Sequence, residues 1–245
     1  METQIKETEI RKLKPLIVRG QTEIKVPYND NYVSFVYPLI GSNTYLEVRK
    51  QILENKLKVP TTEQTASLLY SAYCIPEVYD EPEFESIREF IRNKWLWVFN
   101  RNLWTDKGVY VVQDLEVKGR TKKLEVSDLE KFLKNSEELN GVRFSEDGKV
   151  RFAPKETYKL EYNAKDELAE NGFVIASYGK TGAEQLAKIS EKFSNKPYVY
   201  GLNIQEGQNP ELRVSALGVN GSNWLYLCGD NFGVDGVGRS FGVLK

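Results

Sequence analysis

The chain has 245 residues, 40% of them hydrophobic, which is enough for one substantial core or two small ones. Its formal net charge is −1, with Lys and Glu interspersed, so the sequence gives no reason to expect binding to nucleic acid or to an anionic membrane. It contains no His and two cysteines, Cys74 and Cys228, which disfavours histidine-based triads, zinc sites and a disulfide framework. We therefore expect no catalytic residues, no metal site and no cofactor.

The N-terminal residues are charged and lack the apolar stretch of a signal peptide. No apolar run reaches the roughly 20 residues that a membrane-spanning helix needs. We predict a short N-terminal arm over residues 1–15 and a cytoplasmic protein by default. Display at a surface through a partner stays open.

The first part of the sequence predicts short strands followed by helices. A strand is expected near Leu16–Val18, and β-branched and aromatic residues broken by turn signals predict further short strands over residues 24–39. Helical spacing and capping residues then predict three helices: Tyr45–Leu57 capped by Asn43 or Thr44, Thr65–Cys74 behind a capping box at Thr61–Gln64, and Pro82–Asn93.

The middle of the sequence predicts a strand pair rich in tryptophan, Trp95–Trp104 and Gly108–Asp114. Trp95, Trp97 and Trp104 are expected in the core. The elements predicted after this pair are a short helix capped at Ser127–Glu130, a hairpin over Gly141–Phe152, a buried strand Phe173–Ala176, a helix from a cap at Thr181–Glu184 to near Phe193, and strands Tyr198–Leu202 and Leu212–Leu217.

Two local motifs are interpreted as turns. Gly179-Lys180-Thr181 has the ending of a phosphate-binding loop, but the Gly needed five positions earlier is replaced by Val174, so a strand-to-helix turn is expected. Gln208-Asn209-Pro210 has the composition of a calcium and sugar site in the wrong order, and it is interpreted as a turn.

The segment from Val214 to Leu244 has an unusual composition. It contains no Lys, Glu, Gln, Met or Pro, although the whole chain has 23 Lys and 26 Glu. A Gly-rich buried hairpin is one interpretation, because a core excludes charge. A second interpretation is that its codons end in a pyrimidine, since such codons encode every residue of the segment except Trp224. Both interpretations stay open.

Three stretches carry a family resemblance. Lys56–Tyr73 is similar to the entry of C-type lectin domains of the formylglycine-generating-enzyme-like class, and Val237–Val243 resembles the final strand that closes that fold. Leu96–Val112 resembles a framework stretch of variable proteins of diversity-generating retroelements, archaeal branch. The resemblance implies a single α+β domain over residues 1–245 with a C-type lectin fold. It would have short, mostly antiparallel strands, two or more flanking helices and a variable region at residues 214–244.

The resemblance implies a ligand-binding protein with a hypervariable surface, whose unknown ligand is expected to be a protein. Trp224, Arg239 and Phe241 would be framework, with Phe241 buried and Arg239 paired with carbonyls or a carboxylate. The variable side chains are expected to be exposed on one face: Leu217, Val219, Asn220, Asn223, Leu225, Tyr226, Cys228, Asp230, Asn231, Phe232, Val234 and Asp235.

Two other classes of function stay open. One is an enzyme, either of the formylglycine-generating type or based on a pair of carboxylates. The formylglycine-generating relatives use a pair of active-site cysteines, which this sequence lacks, and a carboxylate enzyme would need two buried acids close together. The other is a structural or viral attachment protein with the same fold, which the genome context would distinguish.

Overall fold

The structure is a computed structural model that describes residues 16–18, 23–115, 124–220, 224–233 and 237–245. The predicted N-terminal arm, residues 1–15, lies outside the described residues. The described part is α+β, with short and mostly antiparallel strands and flanking helices, so the predicted α+β class is confirmed.

Six α-helices occur in the described part of the chain: α1 (Tyr45–Glu54), α2 (Thr62–Cys74), α3 (Pro76–Tyr79), α4 (Pro82–Asn93), α5 (Val126–Phe132) and α6 (Gly172–Ser190). The predicted caps of the first two helices are confirmed. The Thr44 hydroxyl accepts the amide of Glu47 at the start of α1. Thr61 and Gln64 form a reciprocal capping box at the start of α2. Each cap satisfies amides that lack a partner within the first helical turn.

The described strands are β1 (Leu16–Val18), β2 (Glu23–Tyr28), β3 (Asn31–Val36), β4 (Ile40–Asn43), β5 (Trp95–Thr105), β6 (Gly108–Gln113), β7 (Glu137–Leu139), β8 (Val142–Phe144), β9 (Val150–Pro154), β10 (Glu161–Tyr162), β11 (Tyr198–Tyr200), β12 (Glu211–Asn220), β13 (Trp224–Asn231) and β14 (Gly238–Ser240). The first three form a small antiparallel sheet. The other eleven form one sheet, whose main path runs β10-β11-β13-β12-β5-β6-β9-β8-β7.

The C-terminal strand closes this large sheet. β14 pairs antiparallel with β4 and parallel with β5, and the Ser240 hydroxyl donates to the Trp97 carbonyl. Just beyond β14, Val243 bridges Phe35 of the small sheet and Lys58. The last described residues therefore connect the large sheet, the small sheet and the segment between α1 and α2.

The central strands have different neighbours on their two faces. On one face, Leu96, Leu217 and Leu227 join the largest core together with residues of α2, α4 and α6. On the other face, Trp97 and Phe99 join residues of α1 in a second core. Beyond this second core, on the same side of the sheet, β10, β11 and β13 carry half-buried or exposed side chains, and we call this region the open face.

Three predictions of local structure are wrong. Gly179-Lys180-Thr181, predicted as a strand-to-helix turn, lies within α6, where Gly179 interrupts the helix and no strand precedes it. Residues 173–176 form the first turns of α6 rather than a strand, because the Asn171 side chain caps the helix by accepting the amides of Phe173 and Val174. Because all four residues are buried and apolar, this segment lacks the polar positions from which helical spacing is recognised in a sequence. The helix α5 is present, but it begins after Glu125 without a side-chain cap, so Ser127 is not its cap.

Candidate ligand-binding surface

Three of the twelve predicted variable residues are core residues. Leu217, Val219 and Leu225 are 5% exposed or less and pack against the helices in the largest core. The prediction that they are exposed is wrong. Side chains alternate between the two faces of β13. Leu225, Leu227 and Gly229 face the helices, and the residues between them face away from the helices.

Cys228 is also buried, at 7% exposed, and packs in the second core. Its predicted exposure is likewise wrong. Burial and the neighbouring Asp230 carboxylate raise the pKa of the Cys228 thiol, which is therefore protonated at neutral pH. A protonated thiol is a weak nucleophile, so Cys228 is suited to packing.

Four predicted residues do lie together on the open face. Tyr226, Asp230 and Asn231 are half-buried, Phe232 is 63% exposed, and all four line one cavity. Asn223, Val234 and Asp235 lie outside the described residues, as does the side chain of Asn220. The structure thus brings together part of the predicted set.

The framework residues have mixed outcomes. Phe241 is 1% exposed and packs edge-on against Phe35, so its predicted burial is confirmed. The Arg239 guanidinium lies 5.7 Å from the centre of the Phe90 ring, a different kind of partner from the predicted carbonyl or carboxylate. Trp224 is half-buried on the open face, where its ring lies 5.7 Å from Tyr162 and 6.0 Å from Tyr226.

Most of the open face is aromatic. Tyr226 lies 5.3 Å from Tyr200 and 6.5 Å from Trp95, and Tyr198 lies 4.8 Å from Tyr162, measured between ring centres. We call the following set the aromatic surface: Trp95, Tyr162, Tyr198, Tyr200, Trp224, Tyr226 and Phe232.

Strand pairing explains why these rings meet. β11 runs parallel to β13, with Tyr198 opposite Tyr226, and β10 adds Tyr162 opposite Tyr198. Residues directly opposite each other in neighbouring strands project from the same face. On the other side of β13, Gly218 lies opposite Tyr226, and a Cβ at Gly218 would be 3.2 Å from the Trp95 ring. Gly218 thus gives Trp95 room to lie across the sheet near Tyr226.

Sequence reasoning missed four residues of this surface. Trp95 was expected in the core, but it is half-buried, whereas Trp97 and Trp104 are fully buried as predicted. Tyr162, Tyr198 and Tyr200 belong to strands far from residues 214–244 in sequence. The alternation in Tyr198-Val199-Tyr200 is a signal for a strand with one exposed aromatic face, but it does not reveal the neighbouring strand.

Two cavities flank the contact between Trp95 and Tyr226. One has a volume of about 470 Å³ and is also lined by Tyr200, Cys228, Asp230, Asn231 and Phe232. The other has a volume of about 360 Å³ and lies at the C-terminal end of α4, where the exposed Arg92, Asn93 and Lys94 line it. Trp95 and Tyr226, which we call the aromatic ridge, therefore separate a cavity that contains the acidic Asp230 from a cavity that contains the basic Arg92 and Lys94.

Tyr198 and Tyr200 of this surface are neutral at physiological pH, because the pKa of each is raised above its ordinary value. Burial, and next the neighbouring Tyr226, raise the pKa of Tyr200 to about 12. Neutral phenols combine apolar ring faces with a hydroxyl that can donate or accept, and they have few torsions to fix on binding. This chemistry suits adaptable contact with another molecule.

No protein-family model and no curated protein matches this chain. Among solved structures, the chain is similar to one from Nanoarchaeota described as "Accommodation of massive sequence variation in Nanoarchaeota by the C-type lectin fold". The two chains are 14% identical, the match covers 83% of this chain and 94% of that chain, and the TM-score is 0.47.

Within the described residues, no helix is both long and apolar enough to cross a membrane.

Proposed function

We propose that this chain is a ligand-binding protein built on a C-type lectin fold, and that the aromatic surface contacts a protein ligand. The observation that carries this proposal is the clustering of seven aromatic side chains on an open sheet face above a packed core. Rigid aromatic side chains supply large contact area at low entropic cost and dominate many protein interfaces. The pairing of β14 with β4 is also what a closing strand of this fold would make.

We further propose that a retroelement diversifies the exposed part of residues 214–244. Tyr226, Asp230, Asn231 and Phe232 lie on or beside the aromatic surface, and their side chains can change without opening a cavity in the core. Leu217 and Leu225 would instead be retained, because the large core depends on them. The variable residues that we propose are therefore those on or beside the aromatic surface, and the buried Leu217 and Leu225 are no longer among them.

The buried charges support binding rather than carboxylate catalysis. Asp114 is the buried acid of the described residues, and its carboxylate lies 3.1 Å from Arg49 and 3.7 Å from Arg101. It also accepts the hydroxyl of Tyr45. A carboxylate that contacts two arginines and a tyrosine hydroxyl is engaged in structural contacts, and no second buried carboxylate lies beside it among the described residues.

A pair of display libraries tests the binding function. The first randomises Tyr226, Asp230, Asn231 and Phe232, and the matched control randomises the buried Leu217, Val219, Leu225 and Leu227. We expect the first library to yield folded variants that bind members of a panel of unrelated proteins, and the control to yield unfolded chains. Absence of binders from a well-folded first library would overturn the proposal.

The coding DNA tests the diversification. We expect a nearby repeat of the region encoding residues 214–244, adjacent to a reverse transcriptase gene, with differences only where the repeat has adenine. Codons for Tyr226 and Phe232 should differ between repeat and gene more often than codons for Leu225 and Leu227. A locus without such a repeat would contradict diversification but leave ligand binding intact, and a viral gene neighbourhood would favour an attachment protein.

A further inference from the structure

The larger cavity beside the Trp95–Tyr226 contact is walled by aromatic rings. Trp95, Tyr200, Tyr226 and Phe232 line its sides, and the volume of about 470 Å³ is open to solvent at the exposed Phe232. The faces of aromatic rings carry partial negative charge, so rings that turn a face towards such a space attract a cation.

An acidic side chain also lines this cavity. Asp230 is one of the lining residues, and its carboxylate accepts the Cys228 thiol at 3.2 Å. Burial raises the pKa of the Cys228 thiol, so the thiol keeps its proton and adds no charge of its own to the cavity. Among the described residues, no Lys or Arg lies within 4.0 Å of the Asp230 carboxylate.

One ring of the cavity already contacts a cation of the chain itself. The Arg213 guanidinium lies 4.1 Å from the centre of the Phe232 ring and is paired with Glu211. Arg213 is not a lining residue of the cavity, so this contact leaves the cavity free for another group. The geometry of Phe232 is thus compatible with stacking of a cation.

The neighbouring cavity has the opposite charge. Arg92 and Lys94 line it at the end of α4, on the other side of Trp95 and Tyr226. A cationic group is therefore repelled from one side of the aromatic ridge and attracted to the other. The charges therefore favour a cationic group in the cavity that contains Asp230. They also orient a partner, because its cationic group is directed away from Arg92 and Lys94.

We propose that the cavity lined by Trp95, Tyr200, Tyr226, Phe232 and Asp230 binds the ammonium group of a lysine side chain from a protein partner. This proposal rests on the proposed ligand-binding function. The ammonium lies among the ring faces and pairs with Asp230, and the methylene groups of the side chain pack on Trp95. The open shape fits a side chain that projects from a larger partner.

Titrations followed by nuclear magnetic resonance test the proposal with defined probes. The full chain, labelled with ¹⁵N, is titrated with Nα-acetyl-lysine methylamide and with the corresponding norleucine, glutamate and tyrosine derivatives. We expect the lysine derivative to shift the Trp95 indole and Phe232 amide signals, and to bind about fivefold more tightly than norleucine, which has the same alkyl chain without the charge.

Substitution then assigns the site. Asp230→Asn removes the charge but keeps an oxygen that can accept the Cys228 thiol, so the fold should be retained. We expect it to remove most of the preference for lysine over norleucine, and Phe232→Ala to weaken lysine binding. The control Asp80→Asn makes the same change of charge at the exposed end of α3 and should have no effect.

The outcomes distinguish this inference from the proposed function. Binding of norleucine or tyrosine at the aromatic surface without a preference for lysine overturns the cation site and leaves ligand binding in place. A preference that survives Asp230→Asn, or lysine-induced shifts confined to the α4 side, also overturns it. Failure of every probe to shift any signal of the aromatic surface counts against both proposals.

Discussion

Leu225 and Tyr226 are adjacent in sequence but have opposite environments. Leu225 is completely buried against the helices, whereas Tyr226 is half-buried in the aromatic surface beside Trp95 and Tyr200. Successive residues of a strand project to opposite faces, so this difference follows from their positions in β13. The two residues therefore allow core stability and surface function to be changed separately.

Alanine substitution at these two positions should have unequal effects on stability. Leu225→Ala should lower the free energy of unfolding by about 2–5 kcal/mol, because it leaves a cavity in the core. Tyr226→Ala should lower it by about 1–2 kcal/mol, since the solvent already reaches part of this side chain. Urea unfolding followed by circular dichroism measures both. Equal losses, or a greater loss for Tyr226→Ala, would contradict the assignment of the two faces.

At the scale of elements, α6 is interrupted by a break at Gly179. This residue has φ 69° and ψ 169°, a conformation that is essentially restricted to glycine. The break frees the Ser177 carbonyl, which accepts the Thr62 hydroxyl and the Asn100 side-chain amide. Hydrogen bonds from α2 and β5 thus replace the bonds that a continuous helix would make.

Gly179→Ala should therefore destabilise the protein. The backbone strain costs about 1–3 kcal/mol, and the added Cβ would lie 3.2 Å from the Glu63 side chain. The matched control is Gly148→Ala, where φ is 66° but a Cβ would meet no neighbour within 4 Å. We expect the larger loss for Gly179→Ala in urea unfolding. An unchanged unfolding midpoint would show that α6 can continue through this position.

The elements that sequence predicted well are those with local signals. The capping box at Thr61, the helical spacing of α4 and the turn between β8 and β9 each lie within a few residues. The start of α6 was missed because its first residues are all buried, and continuous burial has no period. The aromatic surface was missed because it depends on the pairing of β10, β11 and β13 across long stretches of chain.

The site could be predicted only in part for the same reason. Composition located the segment that carries Tyr226, Asp230 and Phe232, but composition does not assign residues to faces. Leu225 and Tyr226 are equally compatible with the restricted alphabet, and only strand pairing and helix packing place one inside and the other outside.

For the whole molecule, the C-terminal strand should be essential for a cooperative fold. A chain ending at Val237 lacks β14, the Ser240 bond to Trp97, buried Phe241 and the bridges of Val243. We expect its thermal unfolding to lose cooperativity, while removal of the exposed Lys245 alone leaves the melting temperature unchanged. Calorimetry of the two chains measures this. A truncated chain that melts like the full chain would refute the role of β14.

The pairing of β14 with β5 also sets an order of events during folding. Ser240 and Trp97, which it joins, are 143 residues apart in sequence. Contacts between such distant residues close slowly, because a long loop must first lose its freedom. The large sheet therefore closes only after residues 214–237 have been synthesised, because β14 follows them in the chain. Any substitution in that stretch is therefore present before β14 pairs, and a substitution that slows closure lengthens the time for which the unpaired sheet is exposed to proteolysis and aggregation.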